Sequence, residues 1–337
     1  MANREIDFVL TWVDGADPEW QKEKYARMLK LGVMSEADDR TERYRDWGIL
    51  PYWFRGVEKF APWVRTIHFV TYGHLPAWMN VNHPKLHIVN HSDYIPYKYL
   101  PTFNSHTIEW NFHKISGLSE FVYFNDDMLL LKAVKPTDFF IDSKPVDMLA
   151  LQPDVANADD SVMPYIYLNN AMVLAKYFDK RENMKKQPWA YFHPGYPLMY
   201  LVNNALEMAF PRFTGFYTVH GPAPLMKQTY ETLWRLEPEL LDHVCSHPFR
   251  HKEDISQYVL REYEKLNQNF VPRNTKKFCR YYDLDAENSK LISMIEGQKC
   301  PVVCINDSNH SIPYDRVKNQ LDTAFRQILP EKSSFEI

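Results

Sequence analysis

Cysteine is scarce in this chain: four residues in 337, at Cys245, Cys279, Cys300 and Cys304. That is too few for a disulfide-built scaffold of this length. Cys300 and Cys304 are spaced C-x3-C, wider than the usual zinc knuckle, so a reduced protein with buried thiols is expected. Long apolar runs are missing too; none reaches the roughly 18 residues that mark a membrane-spanning helix. The N-terminus, Met-Ala-Asn-Arg-Glu-Ile-Asp, carries two acids and no apolar signal core, so a secretory leader is not expected. Neither sign of charge dominates. Lys and Arg number 39 against 43 Asp and Glu, a net −4, which argues against nucleic acid as a partner. There is no P-loop, no G-x-G-x-x-G, no G-x-S-x-G and no H-E-x-x-H, which sets aside ATPase, dehydrogenase, serine hydrolase and zincin chemistry. Internal repeats and low-complexity segments are absent.

What is present is a chain 45% hydrophobic and 15% aromatic, enough for two domains or one large elaborated one. Four β-branched or aromatic segments read as buried strands: 6–13, 66–72, 86–91 and 121–127. Helical spacing lies between them, at 46–63 despite Pro51, and at 104–116 with Asn104 or Ser105 as cap. Residues 21–44 are charged and read as a helix or an insert. The second half turns helical, at 169–178, 200–210, 225–244 and 253–268. Residues 300–307 then form a strand and 315–329 an amphipathic helix, both expected to return to the sheet. The expected fold is α/β: a mostly parallel sheet with a helical second half packed on it. Residues 1–150 would form the sheet half, 151–299 a mainly helical part, and 300–337 the returning strand and helix, within one integrated domain.

Ligands in such folds sit outside the carboxyl ends of the strands. The segment YFNDDMLLL (123–131) puts Asp126 and Asp127 there. Burying an unpaired carboxylate costs several kcal/mol, so the pair holds a cation, serves as acid and base, or caps a turn. In TWVDGADPEW (11–20), Gly15 would let backbone approach a ligand, and Asp14 could accept from a ribose or join a metal shell. His220, before a Gly-Pro-Ala-Pro turn, could act as a base or donate to phosphate. In PFRHKEDISQY (248–258), Arg250, His251 and Lys252 precede an expected helix start, a favourable place for an anion. Asn306, Asp307 and His310 crowd another strand end. For each of these segments the plain alternative is an ordinary turn or a solvated helix start.

Taken together and in order, these segments resemble the Stealth family of hexose-1-phosphate transferases. That family includes bacterial capsule and cell-surface polysaccharide phosphotransferases and the catalytic core of the GlcNAc-1-phosphotransferase. IDFVLTWVDGADPEW is similar to its first conserved region. RDWGILPYWFRGVEKFAPWVRTIHFVTYGHLPAWM through GLSEFVYFNDDMLL is similar to the second, HGPAPLMKQTYETLWRLEPE with FRHKEDIS to the third, and CINDSNH with the closing helix and SSFEI to the fourth. The resemblance implies that a UDP-hexose or UDP-N-acetylhexosamine donor gives its sugar-1-phosphate to an oligosaccharide hydroxyl, free or lipid-linked, and that UMP leaves. It implies a Rossmann-like, nucleotide-sugar-binding (GT-A-like) sheet, with residues 1–150 as the nucleotide-sugar and metal-binding half of one integrated catalytic domain and 151–299 carrying its His/Arg catalytic segment. It implies Mg²⁺ or Mn²⁺ at Asp126 and Asp127, a catalytic histidine at His220 and a phosphate-binding arginine at Arg250. Trp12, Asp14, Gly15, Asp46, Asn104, His251 and Asp307 are the candidate substrate-binding residues. It also implies a cytoplasmic location at the inner face of the plasma membrane, with peripheral membrane contact. One departure stands out: many members are polar after the aspartate that opens the second region, whereas Asp46 is followed by Trp47, Gly48 and Ile49. Two competing readings are a metal-dependent glycosyltransferase that releases UDP and a non-catalytic carbohydrate-binding module.

Overall fold

The computed structural model describes residues 5–32, 44–155, 162–307 and 312–337. Its first part alternates strand and helix. The strands are β1 (Asp7–Thr11), β2 (Ile67–Thr71), β3 (Leu86–Asn90) and β4 (Glu120–Asn125). The helices are α1 (Pro18–Leu31), α2 (Leu50–Phe60), α3 (His91–Tyr94) and α4 (Ser105–Trp110). The four strands are parallel, in spatial order β3-β2-β1-β4. Strand order reverses beside β1, so the carboxyl ends of β1 and β4 flank a topological switch point, where α/β sheets hold their ligands. Side-chain alternation buries both faces. Phe8, Leu10, Phe69 and Phe124 pack into one core with α2, and Val9, Val70, Phe121 and Tyr123 into the other.

Beyond the Asp126-Asp127 turn come β5 (Met128–Leu130), β6 (Phe140–Ile141) and β7 (Lys144–Asp147). A helical excursion follows: α5 (Met163–Tyr177), α6 (Lys180–Lys186), α7 (Pro188–Tyr191) and α8 (Leu198–Glu207). Then come β8 (Ala223–Met226), α9 (Lys227–Leu236), α10 (Pro238–Ser246), α11 (Tyr258–Leu266), β9 (Val271–Pro272) and α12 (Thr275–Phe278). The chain closes with β10 (Cys279–Asp283), α13 (Ser289–Glu296), β11 (Val302–Asn306) and α14 (Tyr314–Ile328). The fold is α/β with a parallel-rich central sheet, as the sequence pattern predicts. No helix among the described residues is long and apolar enough to cross a membrane.

Four local expectations are corrected. Residues 225–244 are not one helix: 223–226 form β8, antiparallel on the edge of β4, and the helix after it breaks at Glu237 into α9 and α10. The helix expected over 104–116 stops at Trp110, where Asn111 closes it and a 3-10 turn follows. The returning strand β11 does not join the central sheet but sits between β10 and β5 in a second, three-stranded one. The helix expected to open just after Lys252 begins only at Tyr258.

Candidate active site

A cavity of about 900 Å³ opens over the switch point. The carboxyl ends of β1 and β4 supply Thr11, Trp12 and Asn125 to its wall, and the turn after β4 supplies Asp126 and Asp127. Three strand pairings converge on that turn. Because β8 is antiparallel to β4, with Tyr123 opposite Ala223, the residues before β8 lie beside the residues after β4. His220 thereby meets Asp127, with Nε2 3.6 Å from Oδ2. In the second sheet Cys304 pairs with Met128, and the Ile305 N–H donates to the Asp127 carbonyl at 2.9 Å. The Cys304 thiol donates to Asp127 Oδ2 at 3.4 Å.

Helix α11 fixes the His220 segment. Tyr258 at its start places its hydroxyl 2.9 Å from His220 Nδ1. Arg261 donates to the Val219 carbonyl at 2.9 Å, and Glu262 accepts from the Thr218 hydroxyl at 2.6 Å. Gly221 is required by close packing: a Cβ there would sit 2.7 Å from Cys279 Sγ. Arg261 is itself held by a buried, two-pronged pair with Asp147 at 2.8 and 2.9 Å. When Nδ1–H is donated to Tyr258, Nε2 keeps its lone pair toward the cavity and Asp127, the tautomer a general base requires.

Arg250 reaches the cavity from a different support. It is not beside the start of α11 but donates to Ser105 Oγ at 3.0 and 2.8 Å. The loop that carries it is tied by Asp254, a fully buried carboxylate. Asp254 accepts from Asn104 Nδ2 (2.9 Å), from the His251 N–H (3.0 Å), and pairs with His106 and His247 (3.0 and 2.7 Å). Burial works to raise the Asp254 carboxyl, but the hydrogen bonds from His106 and His247 outweigh it and hold it well below the usual carboxylate range.

The two aspartates of the turn are unlike. Asp126 projects into the cavity, enclosed by protein yet reached by solvent. That enclosure, with the charges of Asp127 and Asp46, pushes its carboxyl up to about 7. Asp127 Oδ1 is buried with no hydrogen-bond partner. An orphaned carboxylate oxygen next to a second carboxylate is the donor set a hard divalent cation takes. Asp127, His220 and Cys304 also have ligand atoms mutually within 4.8 Å. Burial and the Asp127 charge hold the Cys304 thiol protonated, so it serves as a donor to Asp127 rather than as a thiolate ligand.

The other sequence candidates divide. Trp12, Asp46 and Asp307 line the cavity. Asp307 accepts from Arg45 Nε and Nη2, both at 2.8 Å, and from Trp47 Nε1 at 3.0 Å, so it anchors the 45–47 segment. Trp47 and Ile49 are buried core residues, which accounts for the absence of polar side chains there. Asp14 and Gly15 do not line the cavity. The Asp14 carboxylate closes its own turn on the Ala16 N–H, and Gly15 makes room for the backbone of Tyr44 rather than for a ligand. Asn104 and His251 act behind the wall, through Asp254. His310 lies outside the described residues. The sequence reading missed Tyr258, Glu109 and Cys304. Glu109 is buried in the cavity wall and accepts from Tyr123, whose hydroxyl also meets Thr11 of β1. Each of the three matters through a contact made by long-range strand or helix pairing, and no local motif marks them.

A parallel β3-β2-β1-β4 sheet with two carboxylates, a histidine and an arginine converging over its switch point defines the class. It is an α/β protein with a polar crevice at the carboxyl ends of its central strands. Family models match at two places: Stealth protein CR1, conserved region 1, over residues 4–32, and Stealth protein CR2, conserved region 2, over residues 43–148. The chain is 37% identical to the capsular polysaccharide phosphotransferase WcwK of Streptococcus pneumoniae, over 100% of this chain and 99% of that one. It is 35% identical to the receptor polysaccharide phosphotransferase WefC of Streptococcus oralis, with 99% of both covered. It is also 35% identical to the exopolysaccharide phosphotransferase cps2G of Lactiplantibacillus plantarum, with 98% and 96% covered. The chain belongs to the Stealth family. Among solved structures it superposes loosely on the galactosyltransferase LgtC in complex with donor and acceptor sugar analogs, at 11% identity, 98% and 97% coverage and a TM-score of 0.41.

Proposed function

We propose that the protein transfers a sugar-1-phosphate from a UDP-hexose or UDP-N-acetylhexosamine to a saccharide hydroxyl, forming a phosphodiester and releasing UMP, in the synthesis of a cell-surface polysaccharide. The observation that carries this reading is the meeting of His220 and Asp127 beside Asp126 in one crevice at the switch point. The full-length relatives named as polysaccharide phosphotransferases support a phosphotransferase. In the reaction the acceptor oxygen bonds to the phosphorus that carries the sugar. The bond from that phosphorus to the bridging oxygen breaks, and the bridging oxygen leaves with UMP. His220 Nε2 takes the acceptor proton, in the tautomer that donates Nδ1–H to Tyr258. The Arg250 guanidinium faces the phosphates, and Ser105 holds its orientation. Asp126 and Asp127 would hold Mg²⁺ or Mn²⁺, which when bound neutralises diphosphate charge.

The nucleotide product tests the reading whatever the sugar. The protein is incubated with UDP-GlcNAc or UDP-GalNAc, Mg²⁺ and a saccharide acceptor, and the products are separated. UMP and a phosphodiester signal in the phosphorus NMR spectrum of the saccharide are expected. UDP with a phosphate-free saccharide would instead mean attack at the sugar carbon, and a glycosyltransferase.

A further inference from the structure

Helix α8 is built inside out. The residues it turns to the interior are Tyr200, Asn204 and Glu207, all nearly inaccessible. Tyr200 meets Lys276, Asn204 bonds the backbone of Leu149 and Tyr191, and Glu207 pairs with the buried Lys180 amine at 2.5 Å. The residues it turns to solvent are apolar. Leu198 is 75% exposed and Leu206 65%, with Met199 and Val202 between them. Glu207 is the helix's one charged residue and is buried, so its outer face carries no charge. Beyond the helix the exposed apolar surface continues to Phe210, and on neighbouring α7 to Trp189, which is 74% exposed. A helix that spends its polar side chains inward and exposes its apolar ones has the reverse of the pattern for a helix facing water.

We propose that this face docks on an anionic lipid surface, with α8 lying in the plane of the bilayer interface. Charge selects the occupant. Asn204 Nδ2 donates to the Tyr191 carbonyl at 2.6 Å, which sets α7 against the middle of α8. Lys185 and Lys186, both exposed, lead directly into α7 and Trp189. The Lys180 amine bonds the carbonyls of Glu207 and Arg212 at 2.8 and 3.1 Å, which sets the start of α6, with exposed Arg181, against the end of α8. Apolar anchors, a tryptophan and bordering cations are the composition of an interfacial helix. A two-fold pairing of this face with a second copy would bring the same cations toward one another. The face also backs the crevice: the Tyr200 ring packs at a tilt against Tyr217, 4.4 Å between centroids, and Tyr217 and Lys276 line the cavity. Docking would therefore bring the crevice wall to the lipid surface. The proposal rests on this surface and not on the reaction assigned above.

Vesicle flotation with the full chain tests it. Wild type is expected to float with vesicles of phosphatidylcholine mixed with phosphatidylglycerol, and far less with phosphatidylcholine alone. L198E/L206E changes two exposed positions and K185E/K186E reverses the bordering charge; each should weaken binding at least tenfold while circular dichroism and Tm stay at wild-type values. Failure of wild type to float with the anionic vesicles would overturn the proposal, as would equal binding by L198E/L206E. A wild-type dimer in analytical ultracentrifugation that L198E/L206E dissociates would assign the face to a second copy and overturn it equally. Vesicle binding needs no turnover, so its outcome is separate from that of the nucleotide-product experiment.

Discussion

His220 meets the crevice with one nitrogen and the interior with the other, and the two contacts make different demands. Replacing His220 by Ala should lower kcat by about a hundredfold or more if it is the base. Tyr258→Phe keeps the ring and loses only the hydroxyl that orients Nδ1, so a smaller loss in kcat is expected. Wild-type kinetics in both variants would remove the base from this position. A second histidine sets acid stability. Burial, with a smaller effect from the nearby His74 charge, lowers His91 to about 4, against roughly 6.5 in an unfolded chain. Above pH 6.5 both states are neutral there and the residue costs nothing. Below it the unfolded chain binds a proton that the folded one refuses, so stability falls as pH drops from 6.5 toward 4, by roughly 3 kcal/mol at most. His113, which burial also lowers to about 4, adds a slope of the same sign. Urea unfolding at several pH values should show the combined slope, and His91→Leu should make it shallower without abolishing it.

At the scale of elements, α11 acts as the clamp on the His220 segment, and the Arg261–Asp147 pair holds the clamp to β7. Breaking such a pair leaves a buried charge uncompensated, at about 3–5 kcal/mol. Arg261→Met should lose stability of that order in urea unfolding, and adding Asp147→Asn should recover part of it. A loss below about 1 kcal/mol would show that the clamp holds by packing alone. The strands β1 to β4 were legible because each is a run of β-branched and aromatic residues closed by a polar turn. β8 was not. Ala223-Pro224-Leu225-Met226 has no β-branched residue and carries a proline, which only an edge strand tolerates, so its first half read as a turn and its second half as the start of the helix behind it. Asp126, Asp127, His220 and Arg250 were legible as polar residues in strand-end or loop segments, and all four line one cavity. Arg250's true support was not, because Ser105 meets it from 145 residues away and Asn104 reaches the neighbouring Asp254 from 150 residues away, which no spacing reveals. Asp14 and Gly15 misled because a turn that closes on itself has the same letters as one that opens to a ligand.

For the molecule as a whole, ligand binding should report on the crevice through stability. A ligand at 100 times its Kd adds about 2.7 kcal/mol to the folded state. UDP with Mg²⁺ should raise Tm more than UDP alone, EDTA should cancel the difference, and Asp127→Asn should abolish it while leaving the unliganded Tm near wild type. An equal shift by UDP in EDTA would exclude a cation from the diphosphate site.

The antiparallel register of β8 on β4 has a consequence for how such a protein can diverge. Asp127 and His220 lie 3.6 Å apart, yet the whole α5–α8 excursion separates them along the chain. Their distance is set where the chain leaves and where it returns, by pairings at Tyr123–Ala223 and Met128–Cys304. The Lys180–Phe210 stretch in between does not set that spacing directly; it bears on it only from behind, through Tyr200 on Tyr217 and through the bonds of Asn183 and Gln187 to the end of α11. Drift, insertion or recombination that spares those contacts would remodel what the protein rests against or presents to its crevice while the Asp127–His220 spacing is kept. Exchanging that stretch between relatives should yield chimaeras that keep the chemistry and trade the surroundings in which it is performed.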